Sequence, residues 1–324
     1  MADFGGWHLW RIFHTALYEW NEDKVPRMAA AVAFYTVFSL TPIVVIAFRI
    51  AEVTFGPEVA LREILGQAAF LIGHEGAAGI KLLIENAPPN QSSIVSTLLG
   101  LAVMIFATTG VFTELKDALN TIWEVQPIPG ISLIALARDR LFAFAMVLVI
   151  WFLMLVSLVM SAALAGLSRF AGTNVGGLQF AESAISLALT TLLFALIYRI
   201  LPDVDVAWRD VWLGAAVTAF LFTVGKSLFG LYLGHSTIGL SYGAAGSLVI
   251  VILWTYCSCL VLLFGAEITQ VHARLRHATI VPTDKAVHVT EHERAQQGIP
   301  RTEDIKDAVK KEEDGTVTDA NHGQ

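Results

Sequence analysis

The sequence predicts an all-α integral membrane protein: a bundle of six transmembrane helices, with an N-terminal interfacial helix and short helices in the first external loop. The 324-residue chain is 55% hydrophobic and only 15% charged, with a mean hydropathy of +0.63, whereas ordinary soluble domains carry about 25% charged residues. Residues 141–168 contain no Asp, Glu, Lys or Arg, and about 20 helical residues cross a hydrocarbon core about 30 Å thick. Five further stretches approach or exceed that length. All are continuous rather than alternating, which rules out barrel strands and leaves helices as the way to satisfy backbone groups in lipid.

In chain order, residues 1–27 form an N-terminal amphipathic segment. Phe4, Trp7, Trp10, Phe13, Leu17 and Trp20 recur three or four apart, with His8, Arg11 and His14 beside or opposite them. Such a helix either lies in the headgroup region or packs on the bundle. Its seven charged residues leave no uninterrupted apolar core for a cleavable signal peptide. The six-helix membrane domain follows over 28–277, with crossings at about 28–50, 94–112, 141–168, 183–201, 211–233 and 247–266. Pro42, after Ser39 and Thr41, removes one backbone bond and predicts a kink in the first crossing. The first external connection has the apolar spacing of short amphipathic helices, broken by Gly73, Gly76 and Gly79 and ended by Pro88 and Pro89.

Orientation follows from the basic residues. Eleven (Arg11, Lys24, Arg27, Lys116, Arg138, Arg140, Arg199, Arg209, Arg274, Arg276 and Lys285) fall on one side and five (Arg49, Arg62, Lys81, Arg169 and Lys226) on the other. Both termini are therefore expected in the cytoplasm. Residues 278–324 hold ten acidic and six basic side chains and no aromatics, a composition that predicts a disordered acidic tail.

Catalytic chemistry is not indicated. Cys257 and Cys259 stand about 200° apart on a helix, so they read as small apolar residues. The sequence offers no metal-binding histidine pair within a crossing, no phosphate loop and no dinucleotide fingerprint. No cofactor, metal or enzymatic activity is expected, and a net acidic chain argues against a nucleic-acid partner. Ionisable groups at membrane depth carry more meaning because each is unfavourable there unless paired or hydrated. Lys226 lies about 22 Å along its helix from residue 211, where it either snorkels outward or faces a polar interior. Glu114 and Glu267 follow the C-terminal ends of crossings, where the helix dipole disfavours a carboxylate. Each calls for a cationic or hydrogen-bonding partner at the cytoplasmic face, from Arg27, Lys116, Arg138, Arg140, Arg199 or Arg209. Two roles stand for these charges, ion pairs that lock the bundle and a gate. Small residues (Ala29, Ala30, Ala31 and Ala33, then Gly214, Ala215 and Ala216) mark helix contact faces.

Several runs together resemble the YihY/BrkB family of bacterial inner-membrane proteins. They are Ala29 through Tyr35 followed by Ser39-Leu40-Thr41-Pro42, Ala118 through Trp123, Tyr242-Gly243, Leu253-Trp254-Thr255-Tyr256, and Gly265-Ala266-Glu267. The resemblance covers about residues 10–275. It implies six crossings, cytoplasmic ends and a role in the cell envelope; an older ribonuclease description attached to the family finds no support in these residues. It brings no agreed catalytic set, so Tyr35, Pro42, Asn120, Trp123, Tyr242, Gly243, Trp254 and Glu267 are family-motif positions. Two functions follow. A transporter or exporter would line a cavity for a small solute or ion with Ser39, Thr41, Asn120, Lys226, Tyr242 and Glu267. A scaffold would pair its polar groups internally and recruit a cytoplasmic partner with its tail. A polar cavity reaching mid-membrane separates the first from the second.

Overall fold

The computed structural model describes residues 6–85, 110–128, 176–235, 246–276, 280–302 and 305–306. Helix α1 (Gly6–Glu22) places Ile12 and Ala16 against Ile268 and Val271, with Phe13 edge-on to Phe264 at 5.5 Å. Its other side leaves Trp10, Leu17 and Tyr18 exposed. The chain then turns at Lys24, whose φ of 53° is the left-handed conformation. Pro26, which needs no amide partner in a first turn, opens α2 (Val25–Phe55). At the far end, Gly56 takes φ 83° and Pro57 opens α3 (Pro57–Glu85), which folds back along α2.

The expected series of short helices is thus one 29-residue helix, and Gly73, Gly76 and Gly79 do not interrupt it. A helical glycine is unfavourable by about 1 kcal/mol against alanine but is no stop signal. Gly76, Ala77, Gly79 and Ile80 are buried, and small residues let helices approach.

Four further helices complete the described bundle: α4 (110–122), α5 (Gly176–Ile200), α6 (Trp208–His235) and α7 (Gly246–Leu275). Three stretches, Ser183–Ile200, Trp208–Tyr232 and Leu248–Leu275, are long and apolar enough to cross a membrane, and Val25–Leu40 is a shorter apolar stretch. These fall on the predicted crossings at 183–201, 211–233, 247–266 and 28–50. Residues 94–109 of the second crossing, and all of 141–168, lie outside the described residues.

Glycines set how closely the helices meet. A Cβ on Gly214 would lie 1.8 Å from Thr269 Oγ1, and one on Gly265 would lie 1.7 Å from Thr218 Oγ1. The α6–α7 seam therefore interlocks glycine with threonine in both directions. Tyr198 of α5 joins it, donating to the Leu262 carbonyl at 2.7 Å and meeting Thr218 Oγ1 at 2.9 Å. Of the predicted contact residues, Gly214 and Ala215 are buried here while Ala216 is exposed. On α4, a Cβ at Gly110 would sit 2.6 Å from the Tyr35 ring.

The main core gathers at one end of the bundle, where Val25, Ala29, Leu119, Ile122, Trp123, Tyr198, Val204, Val211 and Ala273 pack together. Residues past 280 complete it. Strand β1 (Val125–Pro127) pairs antiparallel with β4 (Ala286–His288), and β2 (Val204–Asp205) with β3 (Val281–Pro282). Helix α8 (Glu291–Gln296) follows behind a Thr290–Glu293 capping box. The disordered tail expected from 278 onward is therefore corrected over 280–302. Its few apolar residues cannot make a core alone, but Ala286 and Ile299 are buried against the bundle, which supplies the missing strands. Residues 307–324 lie outside the described residues.

Candidate functional site

The motif residues divide among three places. Asn120 is 2% exposed and both ends of its amide group engage Asp203: Nδ2 donates to Oδ2 at 3.0 Å, and Oδ1 accepts from the Asp203 amide at 2.8 Å. Lys116 Nζ stands 2.9 Å from Asp203 Oδ1, and the Asp203 carbonyl accepts from the Thr283 amide. This buried node ties α4, the α5–α6 connection and β3 together. Trp123 lies beside it, 1% exposed, on the wall of a cavity of about 140 Å³ shared with Asp205, Arg209, Asp210 and Ile280.

Asp210 went unnoticed in the sequence although it is 1% exposed; its position in the first turn of α6 was the available signal. Arg209 and Arg276 approach it at 3.8 and 3.7 Å. Asp117, near the Asn120 node, has its carboxyl raised by burial and by the neighbouring Glu114.

The second place surrounds Glu267. This residue is fully buried, and neither carboxylate oxygen has a hydrogen-bond partner among the described residues. The cations that act on it are Arg274 and Arg294, which corrects the expected partners. Lys116 pairs with Asp203, Arg199 with Asp205 at 3.5 Å and Arg209 with Asp210, while Arg138 and Arg140 lie outside the described residues. Arg274 shares the helix of Glu267, seven residues on. Arg294 arrives with the segment that composition assigned to a disordered tail.

Around these groups a wider network closes. Arg294, 2% exposed, contacts Asp23 Oδ1 at 2.7 Å, and Arg274 bridges Glu19 at 3.2 Å and Glu124 at 3.0 Å. Arg301 pairs with Glu124, and Lys24 Nζ donates to the Gly298 carbonyl at 2.6 Å. Burial pushes the Asp23 carboxyl up to about 6 against the pull of Arg294. Burial works the same way on Glu22, but hydrogen bonds from the Thr302 hydroxyl and amide overcome it and hold that carboxyl below its ordinary value.

The third place is a groove of about 450 Å³ between α6 and α7, within the apolar stretches of both. Phe222, Lys226, Phe229, Trp254, Cys257 and Ser258 are among its walls, and Trp254 touches the Phe229 and Phe222 rings at 5.0 and 5.8 Å. Lys226 and Trp254 are brought together there, away from Asn120 and Glu267. Ser39, 5% exposed, donates to the Thr36 carbonyl of its own helix at 2.9 Å, and Tyr35 packs edge-on to Phe34. Thr41 and Pro42 belong to α2, with side chains outside the described set; Tyr242 and Gly243 lie outside the described residues.

The chain is similar to UPF0761 membrane proteins. One from Ralstonia nicotianae is 29% identical over 257 residues, covering 78% of this chain and 56% of that protein. One from Paraburkholderia xenovorans is 27% identical, with 82% and 61% covered, and one from Mannheimia succiniciproducens is 25% identical, with 82% and 90% covered. The chain thus spans about 56–61% of the length of the first two. No solved structure matches it significantly. A family profile described as virulence factor BrkB matches residues 16–289, a range that holds the Asn120 node, Glu267 with Arg274, and the groove, and ends before Arg294. The chain belongs to this BrkB family and is a multi-pass membrane protein of the UPF0761 type.

Proposed function

We propose that the protein is a transporter- or exporter-like protein of the bacterial inner membrane, with both chain ends cytoplasmic and a role in the cell envelope. One observation carries the reading: Lys226 and Trp254 share a groove of about 450 Å³ within two membrane-length apolar helices. A cationic side chain is unfavourable at that depth unless paired or hydrated, and such residues face a bundle interior, a water-filled cavity or a substrate pathway rather than lipid. The groove walls are otherwise mainly aromatic and aliphatic, so its chemistry suits an amphiphile with an anionic group. The basic residues of one set of loops support the orientation. The protein is proposed to act without catalysis.

The test is flux in proteoliposomes loaded with a panel of anionic amphiphiles, comparing wild type with Lys226→Met and Glu267→Gln. Loss of about tenfold or more in Lys226→Met supports the groove. Equal flux in wild type and Lys226→Met removes that side chain from the mechanism, and flux no greater than in empty liposomes sinks transport. A second reading, a non-transporting scaffold, is favoured by the closed Asn120–Asp203–Lys116 node. It requires the same panel to give no flux while the chain still captures a cytoplasmic partner.

A further inference from the structure

At the polar end, the carboxylates of Glu19, Asp23 and Glu124 pair with the guanidinium groups of Arg274, Arg294 and Arg301, and Glu22 and Glu267 lie within their electrostatic reach. Two of those three cations arrive with segment 280–302, so without it the acids stand against Arg274 and the rim ammonium of Lys24. Arg294 goes deepest, with a side chain 2% exposed seated on an Asp23 side chain that is 4% exposed.

The seating is incomplete. Arg294 Nε has no hydrogen-bond acceptor among the described residues, its nearest recorded carboxylate oxygen being that of Glu291 at 3.9 Å. Both oxygens of the fully buried Glu267 also lack a donor there, although Arg294 and Asp23 act on it electrostatically. A buried acceptor and a buried donor, each left unfilled, are unfavourable on both counts. Glu267 therefore leaves the socket a buried acceptor that the segment does not fill.

The ligand chemistry is legible from what sits where. The planar fork of Arg294 is buried, whereas the ammonium of Lys24 stays at the exposed rim on a backbone carbonyl. The backbone pairing of the segment is limited to strands of two and three residues, so its seating depends on side chains such as Arg294 and Arg301. We infer that the acid-lined socket formed by the α1–α2 turn, Glu124 and Glu267 is a guanidinium-binding site, which segment 280–302 fills as a tethered ligand through Arg294 and which accepts a guanidinium group from solution when that side chain is withdrawn.

The experiment is hydrogen exchange on the full chain in nanodiscs, which reads docking rather than flux and so stands apart from the transport test. Arg294→Ala should speed exchange of the amides of 287–299 about tenfold or more. Millimolar ethylguanidinium should restore most of the protection, ethylammonium and matched NaCl should not, and rescue should fail in Arg294→Ala/Asp23→Asn. Binding of a synthetic peptide of residues 286–302 to Arg294→Ala, with no binding of the same peptide lacking the arginine, identifies a protein source of the group. Rescue without peptide binding identifies a small guanidinium compound. Arg294→Lys keeps the charge and serves should the alanine variant misfold; it should show faster exchange than wild type. Wild-type protection in Arg294→Lys, rescue by ethylammonium equal to that by ethylguanidinium, or no rescue with no peptide binding overturns the inference.

Discussion

At the polar end, Asn120 and Asp203 meet across 83 residues of sequence and Asp23 and Arg294 across 271, whereas along the groove helices Thr223 and Thr255 return their hydroxyls to carbonyls four residues back. The first region is held by side chains that cross between elements. The second returns the hydroxyls of Thr218, Thr223, Thr255 and Thr269 to their own helices, crosses between helices at Tyr198, and leaves association largely to packing, as expected where lipid offers no hydrophobic drive between helices. Damage should therefore spread at the polar end and remain local on the lipid-facing surface.

The strongest break should come from Asp203→Ala, which strips a side-chain hydrogen bond from Asn120 and the ion pair with Lys116 out of a buried node. A loss of about 3 kcal/mol is expected, read as a lowered melting midpoint in detergent. Next is Gly265→Ala at about 1–3 kcal/mol, because the new methyl meets Thr218 Oγ1 and Tyr198 Oη. Adding Thr218→Ala should recover part of that loss, and failure to do so would put the strain elsewhere.

The comparison sharpens with pH. Because Asp23 binds its proton more tightly when the segment is docked than when hydrated, its contribution is full below about 3.8 and lost as pH rises through about 6. Glu22, with its depressed value, acts oppositely and only below about 4.5. Between pH 7 and 5, protection of residues 287–299 should accordingly increase once intrinsic exchange is corrected, and Asp23→Asn should flatten the profile. The smallest effect belongs to the lipid-facing side: Phe220→Ala, at a residue 59% exposed, should change stability by no more than about 0.5 kcal/mol.

Helix length and apolarity were legible, since α5, α6 and α7 fall on crossings read from composition alone. The motif positions Asn120, Trp123 and Glu267 were legible as special, but their partners were not. Asp203 and Arg294 lie far away in sequence, and strands of two or three residues carry no periodicity to detect. The segment after 280 looked unable to fold because its fold is borrowed: β1 and β2, on the bundle, give it edges to pair with. Continuity of α3 was hidden for a different reason, as glycine marks a break only where the backbone needs positive φ, and that place is Gly56.

The hairpin turn at Gly56 has a geometric consequence for reach. The 31 residues of α2 extend about 46 Å, against a hydrocarbon thickness of about 30 Å. Absorbing the surplus by inclination would take about 50°, beyond the usual range of up to about 40°. About 16 Å of α2 therefore lies outside the hydrocarbon core at one end or both, and the spire of its last turns carries Arg49, Glu52 and the 89%-exposed Val53. A cysteine placed at Val53 would be a labelling handle for impermeant reagents in intact cells, reporting which compartment that spire enters.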